Sequence, residues 1–275
     1  MQQESTAAHG HGRALGRVEG QLTVLRTFAA GRLFGTRSGD VQPAVLALHG
    51  WARTHHDFDA VLRPAGGAEL AAVAVDLPGF GSSPPPTEPW GSAEYAACVE
   101  ALLDELGGPV VVLGHSFGGR VAVHVAATRP DAVRALVLTG VPLLRLSPPS
   151  RPALAYRALR ALHQAGLLGD ERLEHARRRY GSADYAAAAG IMRQVHSRVV
   201  AESYEAQLDA IACPVTLVWG EDDTTVPLTV ATTALDRLRR SDPTRAELVT
   251  LQGAGHLVPL SSPAALRQAV ERHLW

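Results

Sequence analysis

The stretch Val110-Val111-Val112-Leu113-Gly114-His115-Ser116-Phe117-Gly118-Gly119 decides the fold of this 275-residue chain. It opens with four apolar, mostly β-branched residues, which is typical of a buried parallel strand. Apolar residues then recur at helical spacing between Arg120 and Thr128. The pattern predicts a strand, a sharp turn with Ser116 at its apex, and a helix. Glycines two positions to either side of Ser116 permit such a turn, because no Cβ obstructs the neighbouring segments.

Strands and helices alternate along the rest of the chain. Strands are predicted at 22–28, 32–36, 44–48, 70–75, 133–138, 214–219 and 247–251, and helices at 92–106, 229–240 and 263–274. Ser92 is the expected N-cap of the first of these helices. This alternation predicts an α/β fold with a doubly wound, mostly parallel sheet, whose ligands bind beyond the carboxyl ends of the strands.

The segment 142–204 departs from the alternation because it has no strand signal. Helical patterns cover 152–166, 170–180 and 184–200, so we expect a helical cap inserted after the sixth strand. The predicted organisation is a flexible N-terminal lead over 1–17, a core formed by 18–141 and 205–275, and a cap over 142–204.

The cap segment contains ten arginines. They are Arg145, Arg151, Arg157, Arg160, Arg172, Arg177, Arg178, Arg179, Arg193 and Arg198. Guanidinium groups can recognise an anionic substrate. However, three consecutive arginines at 177–179 cannot all face one pocket, which favours a solvated surface. Arg193, beside Met192 in an otherwise apolar stretch, is the best candidate for an exception.

Composition places the chain among ordinary globular proteins. It is 46% hydrophobic and 19% charged, with a net charge of −1, which favours neither a nucleic-acid partner nor a membrane partner. Cys98 and Cys213 have no metal or redox spacing. Residues 1–20 lack a signal-peptide pattern and no apolar run reaches membrane-spanning length. We therefore expect a cytoplasmic protein, either a monomer or a homodimer.

A serine nucleophile needs a general base and an acid that orients the base. Glu221-Asp222-Asp223 follows the strand at 214–219, and the spacing to Gly220 and Pro227 favours Asp223 over Asp222. His256, in Gly253-Ala254-Gly255-His256, follows the last strand. The order serine, aspartate, histidine at one sheet edge predicts Ser116, Asp223 and His256 as the catalytic residues.

The oxyanion of such a reaction requires two N–H donors. We predict the backbone N–H groups of Phe117 and Trp51, whose side chains belong either to the pocket wall or to the core. The candidate pocket residues are His49, His115, Met192 and Arg193, and His49 is also expected to shape the loop before Trp51. His115 lies too near Ser116 to act as its base.

The cluster His55, His56 and Asp57 contains residue types that bind metal ions. It lacks a third suitably spaced ligand, so no metal is expected.

Five motifs, in this order, resemble the α/β-hydrolase superfamily from about Gln21 to the C-terminus. They are His49-Gly50-Trp51, Asp76-Leu77-Pro78-Gly79-Phe80-Gly81-Ser82-Ser83, Gly114 to Gly119, Trp219-Gly220-Glu221-Asp222-Asp223 and Gly253 to His256. The resemblance implies a helical cap over a Ser-Asp-His triad and no cofactor. Ser116 departs from epoxide hydrolases and haloalkane dehalogenases, which have aspartate there. The loop after Trp51 lacks the Gly-Pro-Gly of the meta-cleavage hydrolases and the three glycines of hormone-sensitive-lipase-type esterases.

These features predict a carboxylesterase-like serine hydrolase. Its substrate would be an ester, thioester or lactone of a small, mostly apolar molecule. An acyltransferase or a lyase could use the same residues, and a non-catalytic receptor could keep the same pocket.

Overall fold

The computed structural model describes residues 25–146, 154–180 and 182–275, and its sheet has eight strands. The strands are β1 (Leu25–Phe28), β2 (Leu33–Ser38), β3 (Val45–Leu48), β4 (Ala72–Asp76), β5 (Val110–His115), β6 (Val133–Thr139), β7 (Val215–Gly220) and β8 (Ala246–Leu251). Their order across the sheet is β1-β2-β4-β3-β5-β6-β7-β8. β2 pairs antiparallel with β1 and β4, and the remaining pairs are parallel. The predicted mostly parallel sheet is confirmed.

Helices connect the strands. They are α1 (Asp59–Leu62), α2 (Ser92–Leu106), α3 (Phe117–Thr128), α4 (Leu154–Gln164), α5 (Asp170–Tyr180), α6 (Ala183–Ala187), α7 (Gly190–Val199), α8 (Glu205–Ala210), α9 (Leu228–Leu238), α10 (Val258–Ser261) and α11 (Pro263–Glu271). Five of them, α4 to α8, follow β6 and precede β7. Helices α4 to α7 lie within 142–204, whose assignment as a cap stays a prediction. The predicted N-terminal lead, 1–17, lies outside the described residues.

Strand β5 shows why the sheet is doubly wound. Val110 and Val112 belong to one apolar cluster, which includes residues of α2, α3, α8 and α9. Val111 and Leu113 belong to the opposite cluster, which includes residues of α1, α10 and α11. Because successive side chains of a strand point to opposite faces, an unbroken apolar run is buried on both sides and has no polar face to expose.

The predicted N-cap at Ser92 is wrong. Helix α2 begins at Ser92 itself, and its N-cap is Gly91, whose N–H donates to Glu94 Oε2 at 2.9 Å. The Ser92 hydroxyl is instead hydrogen-bonded to the Tyr204 hydroxyl at 2.9 Å, and the Ser92 N–H donates to Glu202 at 3.0 Å. A contact between segments 110 residues apart has replaced the local one, which no local sequence rule anticipates.

The predicted continuous helix over 184–200 is also wrong, because it consists of α6 and α7. Ala188 and Ala189 are extended, and Gly190 has φ = +52°. The Ala188 carbonyl accepts a hydrogen bond from the Arg193 guanidinium. Glycine adopts a positive φ at little steric cost. The helix can therefore break before Gly190, although the preceding alanines favour a continuous helix.

Tyr204 and Arg120 connect the base of the inserted helices to the core. Arg120 Nη1 on α3 donates to the Val199 carbonyl at 2.8 Å and to the Tyr204 hydroxyl at 3.2 Å. The Tyr204 hydroxyl donates to Glu202 at 2.7 Å. Buried polar groups of this kind require all their partners, and here they hold the end of α7 against α3.

Within the described ranges, no helix has the length and apolar composition needed to cross a membrane.

Candidate active site

Ser116 lies at the sharp turn between β5 and α3. Its φ is +48° and its ψ is −110°, a region that side-chain-bearing residues rarely occupy and that stores strain. The Ser116 N–H donates to the Thr139 carbonyl at 3.0 Å, and the Gly118 N–H donates to the His49 carbonyl at 2.9 Å. Bonds to two neighbouring strand ends therefore hold the serine at the N-terminus of α3.

Gly118 is required by a close backbone approach. A Cβ at this position would lie 2.1 Å from the Leu48 carbonyl oxygen, and one at Gly114 would lie 2.6 Å from the Gly119 Cα. Both obstacles are backbone atoms, so no side-chain rotation relieves them.

We expect Gly118→Ala to destabilise the protein by about 3 kcal/mol, since the added methyl group overpacks a site bounded by backbone. Urea unfolding of the variant against wild type measures this loss. Gly169→Ala is the control, because a Cβ there meets no atom within 4 Å. Equal stability of both variants would contradict the assignment of a steric role to Gly118.

Asp223 and His256 are brought together by the ends of β7 and β8. His256 Nδ1 lies 2.8 Å from Asp223 Oδ2. The other carboxylate oxygen, Oδ1, accepts N–H bonds from Thr225 at 2.9 Å and Val226 at 2.8 Å. Both oxygens are therefore fixed, and Asp222, the rejected alternative, is exposed.

The environment of Asp223 keeps its carboxylate ionised. Burial alone would raise its pKa, but the hydrogen bonds from His256, Val226 and Thr225 outweigh burial and lower the pKa below the ordinary value. An ionised acceptor at Nδ1 fixes the tautomer of the imidazole, so that Nε2 is the nitrogen available to accept a proton.

His256 lies beside the turn that contains Ser116. Its ring centroid is 5.0 Å from that of His115, and its carbonyl oxygen is 3.1 Å from His115 Nε2. A Cβ at Gly140, after β6, would lie 2.9 Å from the His256 ring. The structure thus brings the predicted base and acid to the sheet edge where the predicted nucleophile lies.

The predicted oxyanion donors lie on either side of this turn. The Phe117 N–H is the first of α3, where no carbonyl of the same helix can accept it. In the part of the chain that the structure describes, the Trp51 N–H has no hydrogen-bond acceptor. Ala52, the next residue, has φ = +54°, which marks the Trp51 loop as strained. Both N–H groups remain predictions as oxyanion donors.

The side chains of Trp51 and Phe117 have different environments. Phe117 is 2% exposed and belongs to the core. Trp51 is only half-buried, and its ring makes edge contacts with Phe80 at 4.9 Å, Phe117 at 5.4 Å and His196 at 4.9 Å. Of the two aromatic residues, Trp51 is therefore the one placed to form a wall of the site.

His49 and His115 do not line a pocket, and this expectation is corrected. His49 is fully buried; its Nδ1 is bonded to the Gly50 carbonyl at 2.7 Å and its Nε2 accepts the Leu77 N–H at 2.9 Å. His115 is 1% exposed. His49 does shape the loop, as expected, because its ring joins the segments after β3 and β4.

Burial lowers the pKa of His49 to about 4, and burial together with the nearby His256 lowers that of His115 to about 4. Both rings are therefore neutral in the fold but bind protons in the unfolded chain below pH 6.5. The contribution of the two neutral rings to the unfolding free energy is fully present above pH 6.5 and is lost as the pH falls towards 4. We expect each ring to cost about 2 kcal/mol of unfolding free energy at pH 5.

Urea unfolding between pH 7 and pH 5 measures this loss. His115→Asn should flatten the pH dependence, whereas His56→Asn, at an exposed ring, should not. A pH-independent unfolding free energy in wild type would contradict the account.

The guanidinium of Arg193, a predicted pocket residue, is paired within the inserted helices, and its place in the pocket stays a prediction. Its Nη1 lies 2.9 Å from Glu174 Oε1, its guanidinium lies over the Tyr185 ring at 5.8 Å, and it donates to the Ala188 carbonyl. These partners hold α7 to α5 and α6. Met192 is half-buried and lies against Gly79, where a Cβ would be 2.3 Å from its sulfur, so it remains a pocket candidate.

His196 lies beside the candidate site, although the sequence did not identify it as a candidate. It is 7% exposed, its burial lowers its pKa, and its ring packs against Trp51. Met192 and His196 are four residues apart, which places them on one face of α7. That spacing was the available signal.

Each side chain of the cluster His55, His56 and Asp57 pairs with a residue outside the cluster. His55 Nδ1 lies 2.8 Å from Asp76 Oδ1, His56 pairs with Asp59, and Asp57 pairs with Arg53. Among the described residues, no three histidine, cysteine, aspartate or glutamate side chains are placed to hold a metal ion.

The chain is similar in sequence or in structure to several known proteins. Lipase LipV of Mycobacterium tuberculosis is 45% identical over 111 residues, but the match spans only 37% of this chain and 39% of LipV. The pimeloyl-[acyl-carrier protein] methyl ester esterase of Aromatoleum aromaticum is 30% identical over 81% of this chain and 94% of its own length. The solved structure of an esterase from Rhodococcus sp. ECU1013 has a TM-score of 0.64 at 20% identity, covering 92% of this chain and 98% of that chain.

The structural likeness, at this identity, concerns the fold alone. The first curated relatives are matched over less than two thirds of their length. A model of the alpha/beta hydrolase family, in contrast, matches residues 45–269. The chain therefore belongs to the alpha/beta hydrolase family.

Proposed function

We propose that this chain hydrolyses an ester of a small, mostly apolar substrate through an acyl-enzyme on Ser116. The observation that carries the proposal is the hydrogen bond between His256 Nδ1 and a buried, ionised Asp223, beside a strained turn with Ser116 at its apex. Relatives named as a lipase and as methyl ester esterases support an ester over a thioester or lactone.

The reaction would begin when the Ser116 hydroxyl attacks the substrate carbonyl carbon while His256 Nε2 takes the hydroxyl proton. The charged imidazole is stabilised by Asp223. The oxyanion is bound by the N–H groups of Trp51 and Phe117, at the positive end of the α3 dipole. His256 then gives the proton to the leaving alkoxide, and an alcohol departs.

The second half replaces the alcohol by water. His256 takes a proton from water as the water oxygen attacks the acyl carbon. It returns this proton to Ser116 Oγ when the acid leaves. The side chains of Trp51, Phe80 and Met192 are partly buried and apolar. They favour a substrate that carries an apolar group near its reacting carbonyl.

A panel of nitrophenyl esters of increasing acid length tests the proposal. We expect hydrolysis that depends on acyl length, with free acid as the product. Added alcohol or amine should leave the acid yield unchanged. A predominant ester or amide product would instead establish acyl transfer, and no turnover by folded protein would favour a receptor.

A further inference from the structure

The arginines of the inserted segment are not balanced by acids. Residues 142–204 contain ten of the chain's 26 arginines but only five of its 27 acidic residues. The net charge of −1 for the whole chain conceals this difference. One part of the molecule is strongly basic, and the rest is acidic.

Five of these arginines have partners in the fold. Arg177, Arg178 and Arg193 lie within 4 Å of Glu174, Arg198 pairs with Glu94, and Arg145 donates to the Val200 carbonyl. The other four described arginines of this segment, all on α4 or α5, have no side-chain ion pair or hydrogen bond to a described residue: Arg157, Arg160, Arg172 and Arg179. We refer to residues 154–180 as the α4–α5 hairpin.

The hairpin also exposes apolar side chains. Ala155, Ala158 and Leu162 lie on one face of α4 by their spacing, and all three are exposed. Leu162 is 43% exposed and Leu167, after the helix, is 73% exposed. Helix α4 packs mainly against α5, so this apolar face has no partner among the described residues.

A groove of about 570 Å³ lies within the same hairpin. Its apolar surface comes from Leu159, Leu168 and Ala176, and its polar lining comes from Arg172, Arg179, His175 and Glu171. Two of the four unpaired arginines therefore border an apolar cleft, an arrangement suited to an anionic group attached to an apolar chain.

We propose that the α4–α5 hairpin docks on the surface of a bilayer that contains anionic phospholipids. The guanidinium groups of Arg172 and Arg179 would contact phosphates while Leu162 and Leu167 enter the boundary between headgroups and acyl chains. Leu162 is one helical turn from Leu159, and Leu167 adjoins Leu168; both Leu159 and Leu168 line the cleft that the two arginines border. A phosphate attached to apolar chains, as in a phospholipid, fits this combination better than an acidic protein helix does. The net charge of −1, on which the expectation of no membrane partner rests, averages the basic segment with the acidic remainder.

The position of the hairpin gives this docking a consequence. Glu174 on α5 pairs with Arg193 on α7, and α7 contacts Trp51 through His196. Docking would therefore bring the candidate site to a surface in which apolar esters concentrate. The binding itself does not depend on catalysis.

Co-sedimentation with vesicles tests the proposal, using the full chain with Ser116→Ala so that no lipid is cleaved. We expect binding to phosphatidylcholine vesicles with about one third phosphatidylglycerol, and little binding to pure phosphatidylcholine. Raising NaCl from about 0.05 M to about 0.5 M should release the protein, because salt screens the attraction.

Variants locate the surface. Arg172→Gln with Arg179→Gln should lower the partition coefficient by about fivefold per arginine, and Leu162→Gln should lower it independently. Arg26→Gln with Arg240→Gln, at exposed positions outside the hairpin, is the matched control and should bind as wild type does.

Equal binding to neutral and anionic vesicles would overturn the proposal, as would equal losses in the hairpin and control variants. Capture by a soluble poly-glutamate peptide without any vesicle binding would overturn it in favour of an acidic protein partner. Because each arm measures binding alone, failure here would leave the proposed hydrolase activity untouched.

Discussion

Ser116→Ala is expected to lower kcat for ester hydrolysis by about 10⁴- to 10⁶-fold, since no other group at the turn can form the acyl-enzyme. The strained φ of +48° at this position costs alanine no more than it costs serine. The unfolding free energy should therefore remain within about 1 kcal/mol of wild type. Steady-state kinetics and urea unfolding of the same preparation measure both quantities.

Ser82→Ala is the control for this variant. Ser82 is exposed, and its backbone N–H, not its hydroxyl, binds Asp76. Its activity should equal that of wild type. Retention of more than about a tenth of wild-type activity in Ser116→Ala would exclude Ser116 as the nucleophile.

Asp223→Asn is expected to lower kcat by about 10⁴-fold. The amide retains the shape of the carboxylate but presents a neutral group to His256 Nδ1, so it neither fixes the reactive tautomer nor stabilises the imidazolium. Activity measured over a range of pH, alongside the melting temperature, separates this effect from unfolding.

Asp222→Asn is the matched control because it makes the same chemical change one residue away. The Asp222 side chain is exposed, and only its backbone N–H is used, bonding to the Ala254 carbonyl at 3.0 Å. We expect unchanged kcat. Equal losses in the two variants would show that the loop charge, not the contact between Asp223 and His256, is responsible.

The centre of the sheet was predictable because its strands β3, β4, β5 and β7 are buried on both faces. An unbroken run such as Val110 to Leu113 has no alternative environment in a folded chain. The turn at Ser116 was predictable for a related reason, since the glycines around it answer to backbone contacts that a Cβ would violate. Asp223 could be distinguished from Asp222 because its distance from Gly220 and Pro227 reflects the geometry of one loop.

Elements that depend on distant partners were not predictable. Ser92 has the sequence features of an N-cap, but Tyr204 and Glu202 bind its hydroxyl and its N–H. The break between α6 and α7 has a similar cause, since Arg193 binds the carbonyl of Ala188. Helical propensity is a weak preference that such tertiary contacts override.

The wrong predictions of pocket residues have a different cause. Residues next to a reactive group in sequence, such as His115, can point into the core, and adjacency in sequence does not distinguish the two directions. Arg193 was expected to be free for an anion because it lies beside Met192 in an otherwise apolar stretch, whereas its partner, Glu174, belongs to another helix. Pairing between cap helices requires their mutual placement, which hydrophobic spacing alone does not provide.

Labelling with a fluorophosphonate tests the central claim most directly, because this reagent forms a stable adduct only with an activated serine. Intact mass and peptide mapping of wild type should show a single adduct on Ser116, absent from Ser116→Ala and strongly reduced in Asp223→Asn. No adduct on folded wild-type protein, or an adduct on a different serine, would contradict the account.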